Sequence, residues 1–395
     1  MTAVWPTAKL GAVLASVDRA EVPAAGVAYR QIGVRLWGEG AHEREALDGG
    51  ATKYSRLKRV EAGDIIVNKI WARNGSVAVV RDELAGCYAS AEFPTYVARP
   101  GRLDPRWFHW IAKTRWFWKL CDEASHGTSG KNRIRPEKFL AIEIPLPPLE
   151  EQRRIVAKLD ALVRHAAAVG DALEHNSKAT NALLRSTLHS VFAGHSGWPE
   201  IRLEDACETI LDCLHSNPVY SEQGVPTVRS PDVGLGTLYL GGAKRTSDAE
   251  YRRRTSRGEP QEDDLVIVRE GGGTGRAALV RRDERFSLGQ RVMLLRPRRQ
   301  RVLPRFLLHQ WLSPRILDAE IAEKTKGSAS PHLNISHVRR FSLLMPSLEE
   351  QKTIVDYLDR LQGKIHQLGA IRADAQGELS TLVPALLDRA FRGEL

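Results

Sequence analysis

Apolar residues in two stretches of this chain recur in alternating steps of four and three. The first runs Ile155, Leu159, Leu162, Ala166, Val169, Leu173, then Leu183 and Val191. The second runs Ile354, Leu358, Leu361, Ile365, Leu368, then Leu379, Leu382 and Leu386. A period near 3.5 residues marks a coiled-coil seam rather than the broader stripe of a helix lying on a globular core. Asn176 and Thr180 interrupt the first seam, and Arg372 or Ala375 weakens the second. Proline stands just before each stretch, where its missing N–H has no intrahelical partner to lose. Ser347 and Glu350 have the spacing of a capping box, and Gly194 and Gly393 stand where a helix would end. The pattern predicts two single helices of roughly 45 residues each.

Between them the pattern shortens. Asp64-Ile65-Ile66-Val67 and Val77-Ala78-Val79-Val80 read as short buried strands. Pro105 opens a predicted helix through Trp107, Trp110, Ile111, Trp116 and Leu120, with indoles at the spacing of a core face. After Gly194 the pattern restarts. Trp198-Pro199 echoes Trp5-Pro6, and Asp264-Leu265-Val266-Ile267 stands 200 residues after Asp64–Val67. Pro304 to about Lys324 matches the helical stretch, and Gly327 to Ile335 takes the place of Gly127 to Ile134. The chain therefore reads as a doubled one: domain 1–146, helix 147–194, domain 195–345, helix 346–395. The expected fold is α/β (α+β), with two homologous domains and two long helices forming an antiparallel coiled coil, pseudo-two-fold symmetric.

The two helices also begin alike. Leu149-Glu150-Glu151-Gln152 and Leu348-Glu349-Glu350-Gln351 lie 199 residues apart, and Phe192-Ala193-Gly194 and Phe391-Arg392-Gly393 keep that offset. With Pro145-Leu146-Pro147-Pro148, Met345-Pro346-Ser347 and the ending Ala390-Phe391-Arg392-Gly393-Glu394-Leu395, they resemble the conserved regions of type I restriction-modification specificity (S) subunits. These are the DNA-reading subunits of a bacterial or archaeal defence complex. The resemblance covers nearly the whole chain, and its specific part is the helical motifs. It implies two target recognition domains reading a bipartite target, and helices that dock two methyltransferase (modification) subunits. Two restriction-translocation subunits would complete a nuclease. S-adenosylmethionine, ATP and Mg would sit on those partners, with no cofactor on this chain.

Charge agrees with a polyanionic partner such as double-stranded DNA. The net charge is +10 and the isoelectric point about 9.5. A 42% share of hydrophobic residues suits globular cores. Four cysteines without tight pairing suit a reducing compartment. No signal segment or membrane-length apolar run is legible, so a cytoplasmic location is expected.

Basic and amide residues cluster in predicted turns. The first domain offers Lys53, Arg56 and Lys58; Lys69, Arg73 and Asn74; Lys131, Asn132, Arg133 and Arg135. The second offers Arg229, Lys244, Arg245, Arg253, Arg269, Arg276, Lys326, His332 and Asn334. Such cations neutralise phosphates, arginine forks onto guanine, and amides pair with adenine. Catalytic signatures are missing. Pro147-Pro148 is followed by Leu149, which has no face to stack a flipped base. Gly271-Gly272-Gly273-Thr274-Gly275-Arg276 lacks the ending of a phosphate-binding loop, and Cys207, Cys213 and His215 lack zinc spacing. Two other readings stay open: a stand-alone DNA methyltransferase, and a coiled-coil scaffold of another defence complex.

Overall fold

Leu149–Ala193 forms one helix of 45 residues and Leu348–Phe391 another of 44 in the computed structural model. The structure describes residues 5–125, 132–193, 197–322 and 332–395. The chain divides into two compact units, Met1–Leu173 with Asp374–Leu395, and Glu174–Ala373. Each unit therefore holds half of each long helix.

In the first unit four antiparallel strands lie in the order Leu14–Val17, Thr95–Ala98, Ile65–Val67, Val77–Val79. In the second unit the same order recurs as Cys207–Asp212, Val292–Pro297, Leu265–Val268, Ala277–Leu279. Register is kept as well: Ile65 faces Val79 and Val67 faces Val77, while Leu265 faces Leu279 and Ile267 faces Ala277. The apolar strands are buried on both faces, which explains their continuous rather than alternating hydrophobic runs. Buried Asp64 and Asp264 each take an arginine, Arg19 and Arg296 respectively, and accept the backbone N–H three residues earlier. The loose Trp-Pro echo is also structural. Leu146 N–H donates to Pro6 O and Met345 N–H to Pro199 O, both at 2.8 Å.

A second sheet differs more. The units share a parallel pair, Ala28–Val34 beside Tyr88–Ala89 and Val225–Val228 beside Ser287–Leu288. The first unit extends it with a long hairpin to Ala41–Asp48, where the second has the two-residue strand Arg245–Thr246 followed by the helix Asp248–Arg254. Divergence is concentrated here.

The long helices are tied to their domains by one repeated device. Gln152 is fully buried; its Oε1 accepts from Asp104 N–H, and its amide donates to Arg102 O and Pro147 O, at 2.8–3.1 Å. Gln351, also fully buried, does the same with Leu303 N–H, Arg301 O and Pro346 O, at 2.8–3.0 Å. All of these positions keep the 199-residue offset. Two turns further on, Asp160 accepts from Arg106 and Trp110, and Asp359 from Arg305 and His309. Burial works against the Asp359 carboxylate, but the hydrogen bonds from His309 and Arg305 outweigh it and hold its pKa below the usual value.

Within the first unit Ile155, Val156 and Leu159 join Leu386, Leu387 and Ala390 in one core, and Phe391 packs against Trp107 and Trp116. Within the second, Leu188 and Phe192 share a core with Val355 and Leu358. Arg372 donates to the Thr180 hydroxyl at 3.2 Å; since the later Leu188 and Phe192 share a core with the earlier Val355 and Leu358, the helices run in opposite directions there.

The structure changes two expectations. The predicted helix from Pro105 is broken into Pro105–Ile111 and Arg115–Ser125. The Thr114 hydroxyl donates to Ile111 O and accepts from Phe117 N–H, a local turn that outcompetes helix continuation. The seam is also shallower at mid-helix than its period implies. Ile155, Leu159 and Leu358 are buried and Leu162, Leu173, Ile354, Leu361 and Ile365 half-buried, but Val169 and Leu368 are 48% and 50% exposed. The globular cores reach only to Val163 and from Leu184 on the first helix, leaving residues between them no domain to pack against. Gly393 ends its helix at φ +75°, whereas Gly194 lies outside the described residues.

Candidate nucleic-acid interface

The loop joining Ile65–Val67 to Val77–Val79 is held rigidly. Its short turn Ala72–Asn74 ends on Gly75 at φ +78°, where a side chain would stand 2.7 Å from Gly38 N. Trp37 and Gly38 donate their N–H groups to the carbonyls of Asn74 and Gly75. The loop presents Trp71, 44% exposed, beside Arg73 and Asn74, whose Oδ1 is buried without a hydrogen-bond partner. These three, with Arg115, Trp118, Lys119 and Asp122, line an open cleft of about 520 Å³. Arg115 and Lys119 were not among the sequence candidates. Their i, i+4 spacing on one helical face was the available signal, masked by the indoles around them.

Carboxylate partners sort the other cations. Lys58 lies 3.3 Å from Asp18, Lys69 3.9 Å and Arg133 3.2 Å from Glu92, and Arg229 3.2 Å from Asp232. Arg253 holds Glu250 through two bonds of 2.7 Å. Arg269 is buried between Asp212 and the exposed His332, a strut rather than the surface cation expected. Asn334 is turned to local work as well; its Oδ1 caps the helix Ile335–Val338 by accepting from Ser336 N–H at 3.0 Å.

Cations without a carboxylate partner among the described residues keep a field for a polyanion. Among the candidates these are Lys53, Arg73, Arg135 and Arg276, with Arg56 and Arg245 donating only to backbone carbonyls and Lys244 over the Tyr220 ring at 4.7 Å. Asn132 is half-buried; Lys131 and Lys326 lie outside the described residues.

Among the described residues no cluster of three or more His, Cys, Asp or Glu is placed to hold a metal. Burial pushes the Cys121 and Cys207 thiols up, the latter to about 12, the opposite of an activated nucleophile. No described helix is long and apolar enough to cross a membrane.

The family model for the type I restriction modification DNA specificity domain matches residues 38–172 and 254–373, more than half of the chain. The chain belongs to this family. The two matched segments cover corresponding parts of the two repeats, each running into a long helix. The specificity subunit of the type I restriction enzyme EcoBI of Escherichia coli is 26% identical over 281 residues, 64% of this chain and 58% of that protein. The EcoKI specificity subunit of Escherichia coli K12 is 24% identical over 282 residues, 67% of this chain and 60% of that one. These matches thus span about three fifths of each curated relative. The crystal structure of the HsdS subunit from Thermoanaerobacter tengcongensis is 25% identical, with a TM-score of 0.63 over 99% of this chain and 97% of that one. A chain from a study of complex assembly and conformational transition of the type I R-M system shares the fold, with a TM-score of 0.74 at 23% identity over 100% of this chain and 99% of that one.

Proposed function

We propose that this specificity-family chain is the non-catalytic DNA-reading subunit of a type I restriction-modification complex, working in the cytoplasm. Residues 1–146 and 195–345 are its target recognition domains, each binding one part of a bipartite duplex target. The helices 147–194 and 346–395 hold the two parts at a set gap and dock two methyltransferase subunits. Two restriction-translocation subunits join them in the larger assembly. S-adenosylmethionine, ATP and Mg belong to those partners.

The observation that carries this reading is the repeat of one strand–loop–strand unit at matched register, with a cation that has no carboxylate partner among the described residues on each loop: half-buried Arg73 in the first unit, exposed Arg276 in the second. Unpaired loop cations bind phosphates by releasing counterions, whereas cations already paired with Asp or Glu contribute less. Titration of the full chain with duplex DNA at rising salt tests it. A slope of several in log K against log salt is expected, reduced by about one in Arg73→Ala and again in Arg276→Ala. Weak, salt-independent binding would favour the scaffold reading. Methyl transfer by the lone chain would favour the methyltransferase one.

A further inference from the structure

In the first unit a recess of about 200 Å³ is lined by residues of the hairpin Ala28–Val34/Ala41–Asp48 and of the loop after Ile65–Val67. That is the space of about seven water molecules, room for one planar ring system rather than a drug-sized ligand. Its lining mixes four aromatic rings with polar and charged groups, Arg44 among them. Tyr88, held edge-on by Tyr29 at 4.9 Å, and Phe93 contribute to it, together with Tyr54 and Trp71, which are 47% and 44% exposed. Two polar groups there have unused capacity. Asn68 Oδ1 accepts from Ile70 and Trp71 N–H groups, leaving its amide free to donate. Glu92 Oε2 is buried and ion-paired with the Lys69 ammonium at 3.9 Å but takes no hydrogen bond, while Arg133 donates to the other oxygen. A buried acceptor without a donor is uncommon and calls for a reason.

One lining position differs between the units. Ser90, which lines it, corresponds at the 199-residue offset to Gly289 in the second unit. There Gly289 N–H bonds Val228 O at 2.7 Å, and a Cβ would meet that same oxygen at 2.7 Å. Trp71 also lines the cleft that holds Arg73, Arg115, Lys119 and Asp122, with Lys119 3.9 Å from Glu123, so a surface bearing Arg73 and Arg115 adjoins the recess.

We infer that the recess takes one unstacked nucleobase carrying an exocyclic amine, from DNA held at the adjacent cations. The inference rests on the DNA-binding reading and adds a base-selective site to it. Aromatic faces stack any base. The Glu92 carboxylate accepts the amine N–H, as carboxylates do from cytosine N4, and the Asn68 amide donates to a ring nitrogen or carbonyl beside it. Thymine has no such amine and leaves the Glu92 oxygen without a hydrogen bond.

Anisotropy titrations of the full chain with labelled oligo(dC), oligo(dA), oligo(dT) and a mixed-sequence duplex test this. Oligo(dC) and oligo(dA) are expected to bind roughly tenfold more tightly than oligo(dT). Glu92→Gln should erase that preference while leaving oligo(dT) affinity in place, and Tyr54→Ala should weaken all three oligomers. A purely structural role for Glu92 would instead lower the three equally. Equal affinity of the native chain for the three oligomers, or a preference that survives Glu92→Gln, overturns the recess. If duplex binding keeps its steep salt slope in that case, the DNA-reading function stands; if no nucleic acid binds at all, both fall.

Discussion

Gln152 and Gln351 close a knot of three backbone groups apiece, and each does so from inside a motif visible in the sequence. In Leu-Glu-Glu-Gln at a helix start, a glutamine reads as one more solvated polar residue. Its role depends on backbone atoms 48 to 50 residues earlier, at Arg102 and Asp104 or Arg301 and Leu303, which no local pattern names. Replacing either glutamine by alanine strands a buried N–H and carbonyls that cannot all reach water. Each substitution should cost about 3 kcal/mol. A lowered denaturant midpoint at unchanged slope would show it; a loss under about 0.5 kcal/mol would mean water replaces the side chain. Arg269 teaches the reverse lesson. It reads as a loop cation, yet it lies buried against Asp212, 57 residues away.

The long helices were legible as elements because a 3.5-residue period and paired end signals are one-dimensional information. How deeply each seam position is buried was not, because depth depends on what else lies against the helix. Leu159 and Leu358 sit where a domain core closes over the seam, and Val169 and Leu368 where none does. Leu159→Ala and Leu358→Ala should therefore each cost about 2–5 kcal/mol. Val169→Ala and Leu368→Ala should cost roughly 0.5 kcal/mol or less, as surface changes do. Comparable losses at all four positions, by thermal or urea unfolding, would reject a shallow mid-helix. The broken helix at Thr114 has a similar cause: apolar spacing continues through the break, while one hydroxyl satisfies the backbone differently.

For the whole molecule, the proposed ruler makes a geometric prediction. Removing one heptad from both long helices shortens each by about 10 Å, roughly three base pairs of duplex. Selection from duplexes with randomised gaps should then recover a shorter permitted gap, and an unchanged gap would refute the ruler. The sequence by itself determined that the chain is doubled, where the long helices lie, and which family it resembles. Repeats, periods and motifs are all relations along the chain. Only the tertiary structure decided that each compact unit takes the start of one helix and the end of the other, with Phe391 against Trp107. It alone separated cations already held by carboxylates from those left for a polyanion, and brought Tyr54, Trp71, Tyr88 and Glu92 around one recess. Packing and charge pairing act between residues close in space, and apart from local pairs such as Arg229–Asp232 and Arg253–Glu250 those neighbours are tens to hundreds of positions apart in the chain.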